Sequence, residues 1–417
     1  MKKIVCFLTA IFMFTSVCYG ETYLKIGLKY GRSAVKECTF ESESGFFGYV
    51  DSQQVFTADE GKLYVVTDSI NTVVTGESQA LYYTVSDGVM VEIAPASGEI
   101  IKFNGKPYRG SMIISLKDGG ITVINCVELE SYLKSVVPSE MPSGWHEEAL
   151  KAQAVCARNY ALSNLGKYKS YGFDMDDTIS NQVYKGVSSE AESTSKAVEA
   201  TSGVSLTHGD SLVQTFFYSS GAGTTEDVKD VWGSEIPYLK SVEVPNEEVR
   251  SWEKKFTYTE MNERLKNAGL EVGDVKSIEI TKRSSTGRVT EVVITGSNGV
   301  YTAKKEKART VFSLNSSLYD IEISGGDALK APNVTGVKSL PLLGKYIFES
   351  LNRKNDITSE STFTFKGKGN GHAVGMSQYG AKALAESGYT FDQILTHFYT
   401  GSTVTANQER IIEEVEN

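Results

Sequence analysis

Glu140 is the side chain whose neighbours best suit it to proton chemistry. It stands in Val136-Val-Pro-Ser-Glu-Met-Pro142, among apolar residues and between two prolines. Apolar surroundings disfavour the charged form of a carboxyl, which would let it donate a proton at neutral pH. Cleavage of a glycosidic bond needs such a donor at the leaving oxygen. The same residues also describe a surface glutamate in a turn, and pattern alone does not separate the two readings. Lys151 and Arg158 follow on an expected helix. Seven residues make nearly two turns, so the pair shares one face to within about 20°. Cations aligned beside an acid could hold sugar hydroxyls or a carboxylate. A solvated helix stripe would give the same spacing.

Two glycine-rich segments come next. Phe217-Tyr-Ser-Ser-Gly-Ala-Gly223 runs an aromatic strand into a loop, which makes Tyr218, Ser219 and Ser220 candidate ligand contacts. Glycine lets backbone donors approach a ligand closely, although a tight turn needs the same residues. Lys366-Gly-Lys-Gly-Asn-Gly-His-Ala-Val-Gly-Met-Ser-Gln-Tyr-Gly380 is the second segment, with His372, Ser377 and Gln378 as candidates. It fails the dinucleotide fingerprint, because counting from Gly369 puts Val374 where the third glycine belongs. It fails the hydrolase elbow as well, because Gly-Met-Ser-Gln-Tyr is not GxSxG. His146, His208 and His397 are scattered, without cysteine or acid partners at ligand spacing, so no metal site is expected.

These residues must be positioned by a mixture of strands and helices. Residues 21–105 alternate apolar and polar between Gly and Asp-Gly punctuation, as in Tyr23-Leu-Lys-Ile-Gly-Leu and Leu81-Tyr-Tyr-Thr-Val, and read as a β-rich accessory region. Ser111–Leu116 and Ile121–Asn125 flank Lys117-Asp-Gly-Gly as a hairpin. A helix is expected over 146–165, capped by Ser143 and stopped by Gly166, with Ala149, Ala154, Ala157 and Ala161 on a close-packing face. A second helix is expected over 189–201, then a hairpin from Val204 through His208 to Leu212–Tyr218. Residues 255–320 read as an α+β subdomain with helices near 260–267 and 304–312 and strands near 278–281 and 289–294. Residues 324–360 read as a connection. Helices over 377–387 and after Thr390 follow, the latter opened by a capping box with Gln393. The end, 406–417, is an acidic tail.

Composition narrows the classes. The chain has 417 residues, 40% hydrophobic and 23% charged, which suits a globular protein with a sizeable core. Residues 1–20 read as a signal peptide or N-terminal anchor. Lys2-Lys3 precedes an apolar run, and Cys18-Tyr-Gly20 supplies small residues at a cleavage site. That segment carries two lysines and no acid, so its removal would take the net charge from −10 to −12. Such a charge argues against nucleic acid or an anionic membrane surface as the target. Cys38, Cys126 and Cys156 lie beyond the segment, too widely spaced for a metal set and leaving any disulfide unassigned.

Taken together, three segments resemble the SpoIID/LytB family, that is, stage II sporulation protein D and the amidase enhancers. They are Val136-Val-Pro-Ser-Glu-Met-Pro-Ser-Gly-Trp-His-Glu-Glu-Ala-Leu-Lys-Ala-Gln-Ala-Val-Cys-Ala-Arg158, Phe216-Phe-Tyr-Ser-Ser-Gly-Ala-Gly223 with Val231-Trp-Gly, and Gly369-Asn-Gly-His-Ala-Val-Gly-Met-Ser-Gln-Tyr-Gly-Ala381. They occur in the family's order over roughly residues 106–405. The resemblance implies an α+β catalytic domain of mixed antiparallel sheets with packed helices, acting outside the cytoplasm, secreted or held at the membrane's outer face. It implies a peptidoglycan lytic transglycosylase on glycan strands stripped of stem peptides, with a cell-wall amidase or other sporulation wall hydrolases as partners, and no cofactor. The family's essential acid falls on Glu140, and its helix cations on Lys151 and Arg158. Its Tyr and Lys after the Trp-containing loop fall on Tyr238 and Lys240. Some members carry zinc-binding Cys, His and Cys where this chain has Asp176, Ser180 and Asn181, so no zinc is implied there. A non-catalytic amidase enhancer and a glycan hydrolase with Glu226 as second carboxylate stay open as alternatives.

Overall fold

The computed structural model describes residues 22–98, 100–325 and 357–406. The expected export segment, most of the expected 324–360 connection and the tail beyond Ala406 lie outside the described residues. The architecture is α+β. A seven-stranded sheet runs in space through Met175–Asp176, Tyr23–Lys29, Gly120–Glu128, Ser111–Lys117, Met90–Pro95, Phe46–Val50 and Gln53–Ala58. A six-stranded sheet runs through Lys106–Arg109, Ile100–Phe103, Glu37–Glu41, Lys62–Thr67, Thr72–Gly76 and Leu81–Val85. Among the described residues the helices are α1 (Leu129–Glu140), α2 (Glu147–Ser163), α3 (Glu192–Ala200), α4 (Val228–Val231), α5 (Tyr258–Asn267), α6 (Lys307–Thr310), α7 (Gln378–Glu386) and α8 (Phe391–Phe398).

The boundary expected at 105/106 falls inside this β structure and needs correction. Strand Tyr23–Lys29 pairs antiparallel with Gly120–Glu128, and Met90–Pro95 pairs with Ser111–Lys117. One apolar cluster joins Leu24, Phe40, Val65 and Ile93 to Val123, Tyr132, Val136 and Ala157. The N-terminal strands therefore complete the core on which α1 and α2 rest. The 111–125 hairpin forms as expected. The 255–320 unit has its own core around Phe256, Met261, Ile294 and Phe312. It also recruits Phe363 and Phe365 from strand Thr362–Lys368, which occupies the start of the expected second glycine-rich loop.

Two departures bear on the site. No helix is expected in the segment ending at Pro142, yet residues 129–140 form α1. Glu128 starts it, its carboxylate accepting from the backbone of Glu130 and Ser131 at 2.7 Å each. Pro138 has no N–H to return to Lys134 O and its ring crowds that carbonyl, and the helix ends two residues later. Helix α2 starts at Glu147, capped by His146 Nδ1 at 3.2 Å from Glu148 N rather than by Ser143.

Helix α2 is buried nearly all round. Ala154, Ala157, Ala161 and Leu162 face the β core, while Leu150, Ala152, Val155 and Cys156 face a second core with Met376, Leu384, Leu395 and Phe398. Small side chains allow both approaches. In this apolar setting Arg158 is fully buried. Its Nε and Nη2 donate to the two Glu130 oxygens at 2.7 and 2.6 Å, and Nη1 donates to Val204 O at 3.1 Å. A planar fork suits that geometry and a lysine ammonium does not. Breaking a buried pair strands its partner, at roughly 3–5 kcal/mol. Both Arg158→Ala and Arg158→Lys should lower the unfolding free energy, Arg158→Ala by about 3 kcal/mol, as read from denaturant midpoints.

Candidate functional site

Glu140 is the last residue of α1 and lies half-buried. One carboxylate oxygen accepts from Val183 N at 3.1 Å. Its backbone carbonyl accepts from Gln378 Nε2 at 3.2 Å. Burial raises its pKa, against the lowering pull of the Val183 N–H, Gln378 and the charge of Lys185. Burial prevails, so the site favours the protonated acid. Beneath it, buried Tyr132 donates to Gln182 Oε1 at 3.2 Å and packs on Tyr184 with ring centroids 5.0 Å apart.

The segment presenting Val183 and Lys185 is held by hydrogen bonds. Asp176 accepts from Tyr30 Oη at 2.8 Å, Thr178 Oγ1 at 2.7 Å and Thr178 N at 3.0 Å. Burial alone would raise its pKa, but bonds from Asn181, Thr178 and Tyr30 bring it below the usual carboxylate range. Tyr184 Oη donates to Asn125 at 2.7 Å and Lys185 N to Ser135 Oγ at 3.1 Å. Asp176, Thr178 and Tyr184 thus tie this segment down as a polar clamp. Asp177 is raised to about 6, chiefly by burial and then by Asp176. Among the described residues no group of three or more His, Cys, Asp or Glu could hold a metal ion.

The two glycine-rich loops meet each other. Phe217–Tyr218 pairs in parallel with Met376–Ser377, so the hairpin expected to run through Tyr218 ends at Leu212. Ser220 and Asn370 exchange backbone bonds at 3.0 and 2.8 Å. A side chain at Gly371 would meet Tyr218 at 2.7 Å, and one at Gly375 would overlap Phe216 O. Both glycines have positive φ. Here the glycines allow strand-to-loop contact. The backbone donors expected to face a ligand are largely occupied: Gly221 N and Gly223 N both donate to buried Glu247, at 2.8 and 2.7 Å. Ser377 Oγ also donates to Glu247 while capping α7 at Gly380 N. Ser219 O accepts from Tyr379 N at 3.0 Å. His372 packs between Tyr218 and Trp232, with ring centroids 5.3 and 5.2 Å away. Burial, aided by Arg309, pushes its pKa down to about 4.

Glu140, Gln378, Ser377, Ser219, Ser220, Tyr218 and His372 thus form one connected region. Lys151 is held instead by Glu147 and Glu148, at 2.5 and 2.9 Å, and the other Glu148 oxygen accepts from Phe391 N at the start of α8. The expected alignment of Lys151 with Arg158 beside the acid is not the geometry observed, since each has its own carboxylate. Tyr238 Oη accepts from Gln214 N at 3.2 Å, and Lys240 pairs with Asp227 at 3.3 Å. Glu226 is 1% exposed; Ser284 and Thr286 hydroxyls donate to one of its oxygens at 2.5 Å each. Sequence reasoning missed Val183 and Lys185. Their signal was slight, since they merely follow the segment compared for zinc ligands.

Comparison with known proteins supplies the family. The family described as "Stage II sporulation protein" matches residues 117–208, and a domain of unknown function matches 238–337. The chain is 34% identical over 305 residues to the amidase enhancer of Bacillus subtilis (strain 168), covering 66% of this chain and 40% of that protein. It thus spans less than half of that relative. It is 31% identical over 304 residues to stage II sporulation protein D of the same organism, covering 67% of this chain and 75% of that one. An uncharacterized protein of Brachyspira hyodysenteriae is 28% identical over 320 residues, 75% of this chain and 76% of its own. The chain belongs to the stage II sporulation protein D family.

The raised Glu140 pKa fixes a sign. The folded state holds this proton above the ordinary value of 4.5, so stability from the group is full below that value and is lost as pH rises through the folded pKa. Glu140→Gln removes the titration. The variant should melt above the wild type at neutral pH, with a gap that narrows below about pH 4, as differential scanning calorimetry would read.

Proposed function

We propose that this chain is an extracytoplasmic peptidoglycan lytic transglycosylase. The observation that carries the reading is Glu140 itself: a half-buried carboxyl whose proton affinity is raised, fixed at a helix end against Val183 and Gln378. Glu140 donates its proton to the glycosidic oxygen between N-acetylmuramic acid and N-acetylglucosamine, and the bond to muramic C1 breaks. The carboxylate so formed takes the proton of the muramic C6 hydroxyl. That oxygen closes on C1, leaving a 1,6-anhydro end and regenerating the acid. No water is consumed. One carboxyl suffices because the nucleophile belongs to the same sugar and is already near. Lys185 and the Val183 N–H stabilise the carboxylate at the midpoint.

A hydrolase needs a second carboxylate. Glu226 is the candidate in the motif, and its burial among Ser284 and Thr286 argues against that duty. A second reading, non-catalytic wall binding that stimulates an N-acetylmuramoyl-L-alanine amidase, is favoured by the likeness to the amidase enhancer at 34% identity. The proposed place of action rests on the family and the export-like segment. Among the described residues no helix is long and apolar enough to cross a membrane.

Incubating the full chain with denuded glycan strands should release anhydromuramyl products detectable by mass spectrometry. Glu140→Gln should reduce their rate at least a hundredfold, the low end of what acid–base catalysis contributes. Intact strands with a stimulated amidase would select the second reading, and reducing ends would select hydrolysis.

A further inference from the structure

The loop that meets Glu140 is closed at its neck. Asp177 O accepts from Tyr184 N at 3.2 Å, and inside the loop Thr178 O accepts from Asn181 N at 3.0 Å. Val183, whose N–H meets the acid, is adjacent to the closing bond on one side, and Asp176 is adjacent to it on the other. Asp176 in turn is held by the start of the chain. Met175 and Asp176 pair in parallel with Ile26 and Gly27 of the strand Tyr23–Lys29. Lys25 N donates to Asp174 Oδ2 and Asp174 N donates to Lys25 O, at 2.8 Å each, while Asp174 Oδ1 accepts from Gly166 N at 2.8 Å. Phe173 lies against Gly27, where a Cβ would fall 2.6 Å from its ring.

Tyr30 completes this attachment. Its ring stands 4.8 Å from that of Phe173 and 5.3 Å from that of Tyr171, edge to face in both cases, and its hydroxyl donates to Asp176 Oδ2 at 2.8 Å. Burial, then that bond and the Asp176 charge, raise the Tyr30 pKa, so the hydroxyl remains a donor at neutral pH. The other Asp176 oxygen accepts from Thr178 inside the loop. The charges of Asp176 and Glu140 both bear on the hydroxyls of Tyr132 and Tyr160, which places the two carboxylates around the same pair of phenols. A continuous path thus runs from Tyr30 through Asp176, the neck and Val183 to Glu140. A loop whose neck can shift would carry the Val183 N–H off the acid and admit water to it. We propose that Tyr30 is a positioning residue for the acid: it fixes the neck of the 177–184 loop and so sets the Val183 N–H on Glu140. The proposal rests on the acid–base reading of Glu140 and adds to it what holds the acid's surroundings. Tyr30 lies outside residues 117–208, the part matched by the sporulation-protein family, so the N-terminal region takes a share in the chemistry. It acts through the loop and not on the reacting atoms.

Tyr30→Phe keeps the ring packing and removes only the hydroxyl. On denuded glycan strands the full chain carrying it should show kcat about tenfold lower, the weight of one hydrogen bond to a charged group, with KM within about twofold. Burial is the largest cause of the raised Glu140 pKa, so water admitted at the neck lowers it, and the alkaline limb of the kcat profile should move to lower pH. Asp176→Asn breaks the same link and should do the same, and the double variant should cost little more than either single. Calorimetry reads the coupling without turnover. The gain in melting temperature from Glu140→Gln at neutral pH should shrink in the Tyr30→Phe background, because less raised proton affinity remains to be relieved. An unmoved pH profile with additive melting shifts overturns the proposal, whatever stability Tyr30→Phe costs. A shrinking gain with no anhydro ends from the unsubstituted chain leaves the positioning role and removes the mechanism. Anhydro ends with additive melting shifts leave the mechanism and remove the positioning role.

Discussion

The guanidinium of Arg158 is closed off from water, and its carboxylate partner stands on a different helix. A charge in that position must be met by a fork of fixed geometry or the fold loses several kcal/mol. That requirement orients α1 on α2. Glu130 lies in the first turn of α1 and Glu140 at its end, ten residues on, or about 15 Å along a straight helix. With its first turn anchored by Arg158 and its end set by Pro138 and Pro142, the helix has little freedom to move the acid. Arg158 also holds Val204 O, so the chain leaving α3 is tied to the same point.

A second constraint acts from the other side. Glu247 collects the N–H groups of Gly221 and Gly223, while Arg288 collects the carbonyls of Gly221 and Thr224. The two charges thus clamp opposite ends of the peptide dipoles in one loop. Glu247 also takes the Ser377 hydroxyl, which caps α7, and the first residue of α7 reaches Glu140. Both clamping residues lie within 238–337, outside the segment matched by the sporulation-protein family. Arg288 comes from the 255–320 unit with its own core, so that unit is tied to the Gly221–Thr224 loop of the site.

Features set by near neighbours were legible in the sequence. The 111–125 hairpin followed from alternation around Lys117-Asp-Gly-Gly, and the Thr390 and Gln393 capping box forms as its spacing indicates. Glu140 stood out because its apolar neighbours are adjacent. What escaped depends on distant pairings. Arg158 reads as a free cation until Glu130, 28 positions earlier, is folded against it. The break at 105 was plausible until Tyr23–Lys29 added itself to Gly120–Glu128. The glycines of the second loop suggested a ligand, whereas the nearest obstacles to Gly369, Gly371 and Gly375 are Ser220, Tyr218 and Phe216. Helix α1 was hidden by Pro138, since a proline two residues from a helix end looks like one that prevents the helix.

The placement of the cations explains the character of the acid. A group that first gives and then takes a proton works best when neither form is strongly preferred. A lysine or arginine in short contact with Glu140 would hold it as a carboxylate and cost it the proton. Lys151 and Arg158, the cations nearest in the motif, are instead bound to Glu147, Glu148 and Glu130. Lys185 is left to oppose burial, and it is exposed, so solvent weakens its pull. Burial therefore wins, with the Val183 N–H, Gln378 and Lys185 pulling the other way. Under the proposed mechanism the ion pairs of α2 matter through where they keep positive charge from going, which is a role the sequence spacing alone assigned the other way round.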